Sequence, residues 1–285
     1  MSLQTRALKE ELETIGHVEE LTEVFQNTAS IKIREIRRKV LNSKVFFNDL
    51  WGIYQQVRVE SPVSLRDKAK NDKQLIIFIA SPTGLSGASD LQVMSRIKQD
   101  YSAAAYDVVV IGSHGLSLLR QNNIQPIRSF ETPDIAQTFT VEPILDLVET
   151  YQTTIAYFDS YVSLTQQRPT KLELLLEPQQ LTEEERTLMR EGGVEVIAAG
   201  NFIFEPSVDE AILTLEQAML STTITQLLFE SRLSQLASRF TSMTIAHDRA
   251  RTEQKKTFYR YLAARRSERD EMSRQIGVAA KMRAV

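Results

Sequence analysis

The chain has 285 residues, 42% of them hydrophobic and 25% charged, and a formal net charge of −3, a balance that fits a folded protein and argues against a bulk polyanion binder. It has no cysteine, which excludes disulfides and Cys-ligated zinc. The start, "MSLQTRALKEELETIG", turns acidic at once and lacks the apolar core of a signal peptide, and no apolar run approaches the ~18–20 residues that cross a bilayer, so membrane association is expected only through a partner.

From Leu3 to Val57 there is no proline. Apolar residues recur every three or four positions at Ile15, Val18, Leu21, Phe25, Ala29, Ile33, Ile36 and Val40, then at Phe47, Leu50, Tyr54 and Val57. This is the stripe of one long amphipathic helix, and at ~1.5 Å per residue it needs an equally long partner. A polar, proline-bearing linker follows, "VESPVSLRDKAKND". "QLIIFIAS" and "DVVVIGS" are short continuous runs of β-formers and predict buried strands. The turn "PTGLSGASD" and a helix, "LQVMSRIKQDYSA", separate them. Further on come two helices, "GLSLLRQNN" and "VEPILDLVETYQ", and two strand candidates, "TTIAYFDSYVSL" and "KLELLLEP". Strand and helix in alternation predict a small layered domain with parallel pairing. "LTEEERTLMREGG" reads as an excursion closed by glycines.

In "FIFEPSVDEAI", Pro206 and Ser207 precede an acidic first turn, Asp209 and Glu210, which is a helix start. No proline occurs from there to Val285, and the three-four rhythm continues from Ile212 to Ala246. The fold class is therefore α/β with long helices. An antiparallel coiled coil of the two end helices, 1–58 and 206–285, flanks a Rossmann-like α/β domain at 59–205. Beyond Ala246 the last helix is basic and its apolar residues become sparse.

Chemistry is thin along the chain. Gly84 and Gly87 in "SPTGLSGASD" follow a strand, but the turn lacks the lysine of a P-loop and the spacing of a dinucleotide fingerprint. A tight β–α turn is the plainer reading. His17, His114 and His247 are scattered without metal spacing. His114 lies between glycines at a strand end with no nucleophile or base beside it in sequence, so it reads as a loop histidine. His247 and Asp248, adjacent on a helix, do not face each other. No cofactor, metal or catalytic site is expected. The basic end helix has no recognisable nucleic-acid module. It also lacks the strong apolar face of a membrane-surface helix. A shaft inserted among other subunits explains why apolar residues are rare on every side near Arg265–Arg274.

Three stretches carry a resemblance over nearly the whole chain to the gamma subunit of F-type ATP synthase. In "VEELTEVFQNTASIKIRE", Leu21, Thr22, Ala29, Lys32 and Arg34 match the family's N-terminal segment in register. "IASPTGLSGASD" and "VVVIGSHG" are similar to the family's strand-and-turn pair. "FIFEPSVDEAI" is close to the family's "YIFEPSPEEIL", and in "LFESRLSQLASRFTSMTIAHDRA" the residues Glu230, Ser234, Ala237, Arg239, Met243, Ala246 and Asp248 fall in place. The chain departs at Gln26, where the family has lysine, and where the family's "SEH" reads Ser234-Gln235-Leu236. It departs again in "YLAARRSERDEMSRQI", where Tyr261, Arg265 and Ile276 stay in register but Arg266, Arg269 and Asp270 replace the family's residues.

The resemblance implies a central rotor shaft without a catalytic site of its own, part of a proton-translocating ATP synthase. Its partners would be the alpha and beta subunits of the catalytic head, the epsilon subunit and the membrane c-ring. It implies a peripheral place on the cytoplasmic face of a bacterial-type plasma membrane. Thr22, Lys32, Arg34, Arg239, Met243, Asp248, Tyr261, Arg265, Arg266 and Arg269 are the expected partner contacts. The rival readings are a coiled-coil adaptor that kept the architecture but does not rotate, and an α/β nucleotide-binding enzyme with helical arms.

Overall fold

The computed structural model describes residues 3–57, 65, 71–84, 88–133, 140–174, 205 and 207–283. Most of the proline-bearing linker, the 181–193 excursion, Gly87, Pro206 and the expected domain boundaries at 58 and 206 lie outside them. The described residues form two compact units, one of residues 1–30 with 240–285 and one of residues 31–239. Two helices take part in both: α1, Leu3–Val57, and the last helix, α5, Val208–Arg283.

The larger unit is built on a sheet. Its strands are β1 (Gln74–Ile79), β2 (Tyr106–Ile111), β3 (Arg128–Phe130), β4 (Thr154–Tyr161) and β5 (Gln167–Leu174), in the order β3-β2-β1-β4-β5. Between them run α2 (Ser89–Asp100), α3 (Ser113–Gln121) and α4 (Glu142–Val148). The expected parallel pairing holds for β1 with β2, β1 with β4 and β2 with β3. It fails for β5, which returns antiparallel to β4, because five residues suffice for a hairpin whereas a parallel return needs a crossover. Pro169 sits in this edge strand, where a missing N–H is tolerated.

Both faces of the sheet are covered, which is why β1 and β2 are apolar without alternation. Leu75, Ile77, Ile79, Val109, Ile111, Ala156 and Phe158 point to a layer of α4 (Ile144, Val148) and α5 (Leu220, Ile224, Leu227, Leu228). Ile76, Phe78, Val108, Val110, Ile155 and Tyr157 point to the other layer, α2 (Val93, Met94, Ile97) and α3 (Leu118, Leu119). At the end of β2 the chain passes so close to β1 that a Cβ on Gly112 would lie 2.4 Å from the Ala80 carbonyl oxygen, and its φ of +108° is open only to glycine. In this unit α1 also packs on α5 through Trp51, Tyr54, Ile212 and Met219, with Phe47, Leu50 and Leu215 around them.

Two further details differ from the expectation. Strand β3 is three residues long and has no apolar run to announce it; pairing with β2 creates it. Helix α4 ends at Val148, where the chain bends at Glu149 and Thr150 to enter β4.

Candidate functional site

The smaller unit pairs the first part of α1 with the last part of α5, antiparallel. Thr5 donates to Glu268 (3.0 Å), Thr257 donates to Glu11 (3.4 Å), and His247 Nε2 lies 3.8 Å from Glu19. As numbers rise on one helix they fall on the other. The inward positions of α1 follow a strict three-four step: Thr5, Leu8, Leu12, Ile15, Glu19, Thr22, Gln26 and Ala29 are all buried or half-buried, the seam of a coiled coil.

The expected apolar stripe breaks here. Val18, Leu21 and Phe25 are 44%, 58% and 41% exposed, while Glu19, Thr22 and Gln26 occupy the seam beside them. Val24 and, on α5, Ile245 are exposed as well. An open groove runs between Ile15 and Val18 on one helix and Ile245, Ala246 and Ala250 on the other, with Asp248 and Lys256 on its walls. The seam thus mixes Glu19, Thr22 and Gln26 with Leu8, Leu12, Ile15 and Ala29, while apolar side chains beside it are left exposed.

The expected contact residues divide by this geometry. Lys32, Arg34, Asp248, Arg265, Arg266 and Arg269 are exposed, and Met243 and Tyr261 are half-buried. Thr22 is buried in the seam, and its hydroxyl donates to the Val18 and Glu19 carbonyls of its own helix (2.9 and 2.8 Å). Asp248, contrary to expectation, approaches its neighbour: its Oδ1 is 3.7 Å from His247 Nδ1. Arg239 belongs to the larger unit. Its Nη2 donates to the Thr83 hydroxyl (2.8 Å), and its Nε is buried without a hydrogen bond among the described residues. Burial pulls the Arg239 pKa below the usual guanidinium range.

The turn after β1 was the one place where the sequence suggested a ligand loop. His114 is not in a loop. It is the second residue of α3, and its Nδ1 lies 2.7 Å from Asp90 Oδ2. A carboxylate only accepts, so Nδ1 carries the proton. Asp90 also takes hydrogen bonds from the Ser81 hydroxyl and, at 3.2 Å, from the Ser81 N–H. Serine and histidine both point to the aspartate and not to each other, which is not the serine–histidine contact of an activated nucleophile. The His114 ring lies against Gly84: a Cβ there would sit 3.4 Å from Nε2. Arg239 on Thr83 and His114 beside Gly84 thus cover the two described residues at the start of the turn. The link between Asp90 and His114 spans 24 positions and was invisible in sequence. Only the apposition of the β1–α2 and β2–α3 turns creates it.

Deeper at the same end of the sheet, Asp159 of β4 is 2% exposed. It accepts from Ser89 of α2 (2.5 Å) and Ser234 of α5 (2.8 Å). Next to it, Ser160 donates to Glu230 of α5 (2.5 Å). Sequence reasoning noted Ser234 and Glu230 only as matches to a family motif and missed Asp159 entirely.

The described residues thus hold a layered α/β unit and, in the smaller unit, an antiparallel pair formed by the two long helices. The profile of the ATP synthase family matches residues 4–269. The chain belongs to that family, as a divergent gamma-type member. It is 25% identical over 281 residues to the ATP synthase gamma chain of Gloeobacter violaceus, an alignment spanning 86% of this chain and 89% of that one. It is 22% identical over 262 residues to the gamma chain of Desulfitobacterium hafniense, spanning 86% and 87%. The fold matches a chain of the Euglena gracilis mitochondrial ATP synthase with a TM-score of 0.67 at 14% identity, over 99% of this chain and 95% of that one. It also matches a chain from the central stalk and c-ring structure of the Tetrahymena thermophila enzyme, with a TM-score of 0.57 at 15% identity, over 79% and 99%. No described helix is long and apolar enough to cross a membrane.

Proposed function

We propose that this chain is the rotor shaft of a proton-translocating ATP synthase, turning inside a sleeve of alternating alpha and beta subunits. Its α/β domain would rest beside the epsilon subunit and the membrane c-ring. The observation that carries this reading is the apolar surface that the helix pair leaves exposed beside a partly polar seam. Val18, Leu21, Val24, Phe25 and Ile245 face outward while Thr5, Glu19, Thr22 and Thr257 face inward. A pair so built leaves apolar surface for a surrounding partner to cover. The shaft is a non-catalytic subunit, and it works by presenting different faces to distant sites as it turns, a rigid-body switch.

Lys32, Arg34, Asp248, Tyr261, Arg265, Arg266 and Arg269 are its contacts with the head, together with the half-buried Met243. Thr22 and Arg239 contribute through the seam and through Thr83. The complex holds the chain peripherally at the cytoplasmic face of a bacterial-type plasma membrane. Affinity purification of the tagged full chain tests the reading. Alpha, beta and epsilon subunits should copurify, with ATPase activity that drives proton uptake once the membrane sector is present. A chain that copurifies with none of them would be a non-rotating adaptor.

A further inference from the structure

Helix α5 meets the sheet in two chemically different zones. From Leu220 to Leu228 the contact is apolar, through Leu220, Ile224, Leu227 and Leu228. Apolar burial is non-directional: it resists separation of helix and sheet but sets no exact angle between them. From Glu230 to Arg239, where Leu233, Leu236 and Ala237 are buried as well, polar bonds to the α/β domain are added. Glu230 takes the Ser160 hydroxyl, Ser234 donates to Asp159, and Arg239 donates to Thr83.

Asp159 is the centre of this zone. One of its carboxylate oxygens joins three elements, accepting from Ser89 on α2 and Ser234 on α5 while the residue itself belongs to β4. Ser234 is fully buried and Ser89 nearly so. Burying a carboxylate is costly, and a well-packed apolar residue in its place is often neutral or stabilising. What hydrogen bonds supply that apolar contacts do not is a narrow range of distance and angle.

We propose that Asp159 is the pin that fixes the rotational register of α5 on the sheet, and so a positioning residue for torque transfer between the α/β domain and the shaft. The proposal rests on the rotor reading above. An apolar residue at this position leaves the domain folded but lets the helix roll within its apolar bed. Rotation of one part is then imperfectly followed by the other.

The test uses the assembled complex in sealed vesicles, with ATP hydrolysis and ATP-driven acidification measured together. Asp159→Leu should assemble and hydrolyse ATP yet lose most of its pumping per ATP. Asp159→Asn should pump like the wild type, because one amide oxygen can still accept both serine hydroxyls. Ser234→Ala should lose part of the pumping, and it is conservative enough to fold even if the leucine variant does not. Leucine or Ser234→Ala variants with wild-type coupling would overturn the proposal, as would an asparagine variant that fails like leucine. If the wild-type chain itself does not assemble with an ATPase, the rotor reading fails. The pin is then read in the full-length chain alone by hydrogen exchange of the α5 amides from 228 to 240. These should exchange faster in Asp159→Leu and at the wild-type rate in Asp159→Asn. Equal exchange in all three would refute the pin without reference to rotation.

Discussion

Asp159 makes a cost that pH should expose. Burial pushes its pKa above the ordinary value of 3.8, outweighing the Ser89 and Ser234 hydrogen bonds that pull it down, and the nearby Asp90 charge adds to the rise. The folded state therefore holds the proton more tightly than the unfolded chain. This contribution to stability is complete below the unfolded value and is lost as pH rises through the folded pKa. Asp159→Asn removes the loss. Its thermal midpoint should exceed that of the wild type near neutrality, and the gap should close on approaching about pH 3. Equal differences at both pH values would show that the carboxylate ionises without penalty. A second residue-scale test concerns Tyr157, which is 1% exposed and donates to Asp100 at 2.5 Å. Burial and then Asp100 hold its phenol pKa up at about 12. Tyr157→Phe removes only the hydroxyl and should cost about 0.5–1.5 kcal/mol in urea unfolding.

At the scale of elements, α1 and α5 are joined by two kinds of seam. In the larger unit Glu216, 1% exposed, takes the Tyr54 hydroxyl (2.8 Å) and the Leu65 N–H (2.6 Å) beneath an aromatic cluster. Glu216→Ala strips both donors of this acceptor and should destabilise the chain by about 1–3 kcal/mol in chemical unfolding. In the smaller unit the seam is partly polar, and the Thr22 hydroxyl donates to carbonyls of its own helix. Thr22→Ile should orphan nothing and stabilise the isolated chain by about 1 kcal/mol, read as a higher melting temperature. That seam is also where the sequence misled. Apolar spacing traced Val18, Leu21 and Phe25 because periodicity follows hydrophobic side chains, whereas the seam follows whatever faces the partner. The long helices, β1, β2 and β4 were legible because their apolar patterns are continuous. Strand β3 was not, since its three residues owe their form to pairing alone. The Asp159–Ser89–Ser234 join was likewise hidden, because no local pattern reports contacts made across 70 and 75 positions.

For the whole molecule, the exposed arginines near the end of α5 matter only in assembly. Arg265 and Arg266 project into solvent in the isolated chain. Arg265→Glu with Arg266→Glu should leave its melting temperature unchanged. In a complex whose sleeve is lined with acidic loops, the reversal replaces attraction by repulsion, a change of several kcal/mol when the contact is desolvated. The double variant should assemble poorly or hydrolyse ATP without pumping; wild-type assembly and pumping would mean the basic tip is simply solvated. Truncation after Met272 should be mild for folding, because it spares the Thr5–Glu268 and Glu11–Thr257 bonds that join α5 to α1. The same bond has a consequence for synthesis. Thr5 and Glu268 are 263 positions apart, and Glu11 and Thr257 are 246 apart, while the last described strand ends at Leu174. Joining such distant ends costs little stability, since each doubling of a loop adds only about 0.6 kcal/mol, but it orders events in time. On the ribosome the five described strands are all made while the first helix still waits with its inner edge unsheathed, and the pair closes only once residues 257 and 268 of α5 have emerged. Pulse-labelled hydrogen exchange should find the amides of residues 3–30 among the last to be protected.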